Sequence, residues 1–132
     1  MADRIKGRVG IAAPAKSVWE TLTDIEQWEK WYGVPVTAAE WKEGGSISFG
    51  GQYASTSTIK DYVEGESFTI FGPWVDSKYT LQEVPEGTYI ENVQIGKGAT
   101  WMDDKVAEEE AKIEESLIKF AELVPDPDEE TD

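Results

Sequence analysis

Glu91 and Glu110 are the side chains in this sequence whose placement most suggests chemistry. Glu91 lies at period two among Tyr89, Val93 and Ile95 on a strand-like run, and Glu110 falls inside an apolar helical stripe, between Val106 and Ile113. Asp61 shares parity with Tyr53, Ser55, Ser57 and Ile59 on another run. A carboxylate held among apolar neighbours loses hydration, so its pKa rises or it takes a partner. A carboxyl of raised pKa suits a general acid or base in enolisation or cyclisation. It equally suits a hydrogen bond to a ligand hydroxyl. An edge position open to water, or a one-residue bulge that reverses the parity, would remove both roles.

The rest of the chemical repertoire is narrow. The chain has no Cys and no His. Disulfides, thiolate metal sites and Cys nucleophiles are excluded, and so are a Ser-His-Asp triad and His-ligated haem. Gly44-Gly45 and Gly50-Gly51 are followed by neither a Lys-Ser/Thr pair nor a helix, so they read as turns or bulges and not as a phosphate loop. No metal or nucleotide cofactor is implied. Aromatic residues are abundant: six Trp, five Tyr and four Phe. Trp19, flanked by Val18 and with Leu22 three residues on, reads as core. The candidate ligand-binding set is Trp28, Trp31, Tyr53, Tyr79, Tyr89, Glu91, Trp101 and Glu110, with Tyr32 beside Trp28 and Trp31 at the expected mouth of a pocket.

Net charge is −15 over 132 residues, and residues 103–132 carry 13 acidic and 3 basic side chains. Such a field repels nucleic-acid phosphates and anionic membrane surfaces. No stretch approaches the roughly 20 apolar residues of a membrane span, and Met1–Lys6 has no apolar leader core. A cytoplasmic protein is expected.

The elements that would hold these groups follow from hydrophobic period. Residues 3–12 predict a strand with Ile5, Val9 and Ile11 on one side and Arg4, Lys6 and Arg8 on the other. Ala13-Pro14 breaks it and opens a helix whose Val18, Trp19 and Leu22 share a face. Thr23-Asp24-Ile25-Glu26 has the form of a capping box, with the Thr23 hydroxyl accepting from the Glu26 N–H. It starts a second short helix that ends at Gly33 and Pro35. Strand-like runs at 36–41, 46–50, 53–63, 68–74, 77–84 and 88–95, separated by Gly-rich turns, predict an antiparallel meander. From about 99 to 124, Met102, Val106, Ile113, Leu117, Phe120 and Val124 recur at helical spacing, acids fill the opposite face, and Pro125 stops the run. Such a helix is long enough to cross a whole sheet, at roughly 35–40 Å. It can cover the sheet's apolar face by lying across its concave side.

The segment Ile11-Ala12-Ala13-Pro14-Ala15-Lys16-Ser17-Val18-Trp19-Glu20-Thr21-Leu22-Thr23-Asp24, followed by Trp28 and Trp31, resembles the N-terminal signature of the SRPBCC (START, or birch-pollen-allergen-like) superfamily. Gly44-Gly45 before Ile47 and Phe49, then Ile59-Lys60-Asp61-Tyr62-Val63, then Gly87-Thr88, resemble its activator of heat-shock-protein ATPase homologue branch. The resemblance spans nearly the whole chain. It implies an α+β helix-grip fold: a curved antiparallel sheet of about seven strands, two short helices, and a long C-terminal helix over an apolar cavity. One domain over 1–125 and an acidic disordered tail over 126–132 are expected. Members of the superfamily bind lipids, sterols, polyketides and plant hormones, and some are cyclases or hydroxylase subunits. The leading expectation is non-enzymatic binding of a small apolar or amphipathic molecule. The alternatives are a cofactor-free cyclase or isomerase using a cavity carboxylate or Tyr, and a stress-related protein-interaction module with a protein partner.

Overall fold

Alternation in the first strand sets the architecture. In the computed structural model, which describes residues 2–52, 54–98 and 101–125, β1 (Arg4–Ile11) buries Ile5 and Ile11 on one side and exposes Arg4, Lys6 and Arg8 on the other. α1 (Ala15–Leu22) follows Pro14 and buries Val18, Trp19 and Leu22. Its first N–H, at Ala15, is capped from a distant strand by Glu83 Oε2 at 2.8 Å.

The expected capping box is shifted by one residue. Asp24, not Thr23, caps the 3-10 turn Ile25–Gln27, its Oδ1 accepting from Glu26 N–H at 3.2 Å. The Thr23 hydroxyl is already committed backwards, donating to Trp19 O in the last turn of α1. α2 (Trp28–Tyr32) continues from the turn and ends at Gly33, whose φ of 86° is the left-handed stop that the sequence predicts.

Six strands then run as a meander: β2 (Val36–Ala39), β3 (Ser46–Phe49), β4 (Ser55–Val63), β5 (Ser67–Phe71), β6 (Val75–Val84) and β7 (Gly87–Gly96). β1 joins beside β7, giving one antiparallel sheet ordered β1-β7-β6-β5-β4-β3-β2. Paired residues form rows across its inner face. One row runs Ile59, Ile70, Ser77, Gln94, Ile5, and the next runs Phe68, Tyr79, Asn92, Gly7. A slip in register between Lys60 and Val63, with Asp61 at φ 51°, turns Asp61 out into solvent and away from the inner face expected for it.

α3 (Val106–Leu123) closes the grip, burying Ile113, Leu117 and Phe120 against β1 and α2. It starts later than the stripe predicts. Trp101 pairs instead with Ala2 in an extended bridge, with N–H···O distances of 2.8 and 2.9 Å in the two directions, and a 3-10 turn at Asp103–Lys105 leads into the helix. Met102 is left exposed. Among the described residues no helix is long and apolar enough to cross a membrane. The expected tail, residues 126–132, lies outside the described residues.

α3 can approach β1 this closely because position 7 has no side chain. A Cβ on Gly7 would sit 2.6 Å from Ile113 Cγ2 and 3.2 Å from the Glu114 backbone N. Gly7→Ala is therefore expected to push α3 outward and cost about 1–3 kcal/mol. Urea denaturation checks this, and an unchanged midpoint would mean the helix accommodates the methyl freely.

Candidate functional site

Two adjoining cavities lie under α2 and α3, on the inner face of the sheet. The smaller, about 160 Å³, is walled by Ile5, Trp31, Tyr79, Ile113 and Leu117, with Glu109, Lys112 and Ser116 of α3 above. The larger, about 300 Å³, lies further along the sheet between Tyr32, Val34, Phe49, Ile70 and Val75, with Ser55, Ser57 and Ser77 on its floor. Tyr32 and Gln94 line both and stand at their junction.

An uncharged hydrogen-bonded network crosses the floor. Asn92 Nδ2 donates to Lys78 O at 3.1 Å and to Ser77 Oγ at 2.9 Å. A backbone carbonyl only accepts, so this contact fixes which atom of the Asn92 amide is nitrogen. Asn92 Oδ1 must then be the acceptor for Gln94 Nε2 at 3.1 Å. Among the described residues the Gln94 carbonyl oxygen and its second N–H have no protein partner, so a ligand at the junction can meet both an acceptor and a donor.

Burial pushes the Tyr79 hydroxyl far above the ordinary tyrosine range, the nearby Tyr32 adds to the rise, and a hydrogen bond from Ser77 opposes it. Desolvation raises Tyr32 as well. Both stay neutral donors at physiological pH. Because the folded pKa of Tyr79 exceeds its unfolded value near 10, the unfolded chain releases this proton first as pH rises. Tyr79 thus contributes stability that is fully present below pH 10 and is lost above it, by up to about 1.4 kcal/mol per pH unit. Wild type should lose stability more steeply than Tyr79→Phe between about pH 10 and 11, measured by denaturant titration at each pH. Parallel slopes would place the hydroxyl in contact with water.

The Trp31 ring wall of the smaller cavity also carries an indole N–H that is buried without an acceptor among the described residues. At the rim, Lys112 pairs with Glu109 at 3.1 Å. No charged side chain stands on the floor among the described residues.

With this geometry, the comparison with known families is decisive. A family model described as "Activator of Hsp90 ATPase homolog 1-like protein" matches residues 12–124. The chain belongs to that family. No curated protein matches this family member. Its fold recurs in a protein from Nitrosomonas europaea, 17% identical over 98% of this chain and 97% of that one, with a TM-score of 0.73. It also recurs in the Aha1 dimer from Colwellia psychrerythraea, 16% identical over 92% and 95% of the two chains, TM-score 0.71. A putative protein of the dynemicin biosynthetic locus is 18% identical over 92% of this chain but only 47% of its own length, TM-score 0.75. These likenesses establish the helix-grip fold.

The sequence-predicted site residues do not all meet at the cavities. Trp31 and Tyr79 wall the smaller cavity. Trp28 is fully buried beneath it, in contact with the rings of Trp31, Tyr32 and Tyr79, and lines neither space. Trp101 is half-buried in its bridge with Ala2, away from both cavities, and Tyr53 lies outside the described residues.

Tyr89, Glu91 and Glu110 correct the expectation. Tyr89 and Glu91 project from the outer, convex face of β7, where Tyr89 packs under the Arg8 guanidinium and Glu91 lies opposite Arg8. Glu110 turns to the edge of β1, where its Oε2 accepts the free Lys6 N–H at 2.9 Å. That bond blunts an otherwise open sheet edge. The face of β7 with three apolar residues is the outer one; the inner face carries Thr88, Ile90, Asn92 and Gln94. Its polar groups are tolerated inside because they are hydrogen-bonded, Thr88 Oγ1 to Ala13 O at 2.8 Å for example. A signal for this was present. The two-residue turn Pro85-Glu86 pairs Leu81 with Ile90 and Tyr79 with Asn92, so the even positions of β7 face inward once Tyr79 and Leu81 do.

Proposed function

We propose that this chain binds a small, uncharged, mainly apolar molecule across the two cavities, held by one hydrogen-bonding group at Gln94. The observation that carries the reading is the Gln94 carboxamide. Its orientation is set through Asn92 and Lys78, and its free edge stands where the two cavities meet. Around it the walls are Ile, Leu, Val, Phe and aromatic rings, the composition that buries apolar ligands. A cavity of about 300 Å³ sits at the small end of ligand sites, which favours a compact planar molecule over a sterol. A net charge of −15 also weighs against fatty-acid carboxylates. The catalytic alternative loses its two Glu candidates, since Glu91 and Glu110 face away from the cavities.

The test is a titration, followed by tryptophan fluorescence, of a neutral aromatic ketone, its parent hydrocarbon and a fatty acid of matched size. The ketone should bind best. Gln94→Leu should weaken it about 2- to 10-fold, the worth of one hydrogen bond, while leaving the hydrocarbon unchanged. Equal binding of ketone and hydrocarbon by wild type would remove the orienting role. Tighter binding of the fatty acid would overturn the charge argument.

A further inference from the structure

The convex face of the sheet inverts the charge of the molecule. Twelve basic residues serve a chain of net charge −15. Five of them, Arg4, Lys6, Arg8, Lys60 and Lys78, occupy outward strand positions, and Lys97, just after β7, folds back over the Phe71 ring at 3.1 Å. The acids at outward strand positions among the described residues are Asp76 and Glu91, with Asp61 turned out at the register slip of β4. Asp76 is neutralised by Lys97 at 2.7 Å, and Glu91 stands opposite Arg8. Arg4, Lys6, Lys60 and Lys78 form no ion pair among the described residues.

These cations are ordered. Lys6, Lys78 and Lys60 fall in one cross-strand row, separated by Val93 and Thr69. With strands about 4.8 Å apart, successive lysines stand roughly 10 Å apart and the row spans roughly 19 Å. That is about the length of six extended residues at 3.3 Å each. Apolar surface accompanies the charge. Phe71 is 40% exposed, with Lys60 4.2 Å from its ring centroid, and Trp74 in the following loop is 71% exposed. Acids bound the patch: Glu110 and Glu114 on the α3 side, and Glu64 and Glu66 at the β4–β5 turn.

We propose that this convex face docks a short acidic protein segment that carries aromatic residues between its acids, independently of the cavity. Charge complementarity selects the acids, and Phe71, Val93 and Trp74 offer apolar contact between the cations. The bounded footprint favours a short segment over nucleic acid or a bilayer, whose charge continues past the patch into the surrounding acids.

The probe is a labelled short peptide alternating Glu and Phe, titrated in about 150 mM salt beside its Gln-for-Glu version, oligothymidylate and phosphatidylserine vesicles. The acidic peptide should bind with a dissociation constant of about 100 µM or tighter and shift amide resonances on β1, β4 and β6. Reversing Lys6, Lys60 and Lys78 to Glu together should weaken it about tenfold. Reversing Lys16, Lys30 and Lys42 makes the same change in net charge away from this face, and should weaken it no more than about twofold. Circular dichroism confirms that both triple variants fold. No binding of the acidic peptide, equal binding of the Gln peptide, or equal loss in the two triple variants would overturn the proposal. Tighter binding of the oligonucleotide or the vesicles would overturn it in favour of that partner.

Discussion

Trp28→Ala is expected to cost about 4 kcal/mol or more, close to the whole stability of a marginal domain. Trp28 has no exposed surface and touches five aromatic side chains, the nearest being Trp31 at 4.6 Å and Tyr32 at 5.0 Å between ring centroids. Removing the ring leaves a void that α2 cannot fill, because α2 is only five residues long and is pinned between Asp24 and Gly33. The change has a second component. The indole N–H donates to Leu22 O at 2.9 Å, one of the last carbonyls of α1, which no intrahelical donor serves. The truncated protein leaves that buried carbonyl unpaired, which adds about 1–3 kcal/mol. Trp28→Phe keeps most of the packing and isolates this second part. Guanidinium denaturation of both variants gives the comparison. A loss below about 2 kcal/mol for Trp28→Ala would show that the aromatic cluster repacks around the gap.

Phe120→Ala should follow at about 3–5 kcal/mol. Phe120 is fully buried on α3 and meets the edge of the Trp31 ring at 5.2 Å, joining the long helix to the wall of the smaller cavity. Its loss should therefore do two things that a simple core truncation does not. Amide exchange should quicken along α3 more than along β5 and β6, because the helix is held mainly by Ile113, Leu117 and Phe120 while those strands are held by ladder bonds on both sides. The neutral ketone should also bind more weakly, since Trp31 loses the contact that sets its ring. Uniform exchange across the molecule would mean that the helix does not open as a separate unit.

The burial of Phe120 was readable from spacing alone, whereas Trp28, expected at the mouth of a pocket, lies wholly in the core. Ile113, Leu117 and Phe120 recur at helical period, and acids cover the other face. Ile5, Val9 and Ile11 alternate with cations. Period of this kind reports which side of an element faces the core, because apolar burial is what selects it. The capping segment shows the limit of that reading. Thr23 and Asp24 are both good caps, and the choice between them rested on whether the Thr23 hydroxyl had already turned back to Trp19 O.

The amino-acid sequence by itself determined the class of this protein. Strand, helix pair, six strands and long helix follow from hydrophobic period and turn residues, and the family follows from the N-terminal signature. It also determined what chemistry is absent, since a chain without His or Cys cannot use either. Only the tertiary structure decided which groups meet in the cavity. Tyr89 and Glu91 were apolar-flanked and looked inward, yet hairpin register turns them out and turns Asn92 and Gln94 in. Glu110 sits within the apolar stripe, yet it is drawn to an unpaired N–H on the edge of β1. The physical reason is the same in each case. Hydrophobic period measures the average preference of a face, whereas a buried polar group is placed by its hydrogen-bond partners, and those partners lie on strands distant in sequence. Lys78 O, 14 residues from Asn92, orients the amide that orients Gln94, and no local pattern records that chain of bonds.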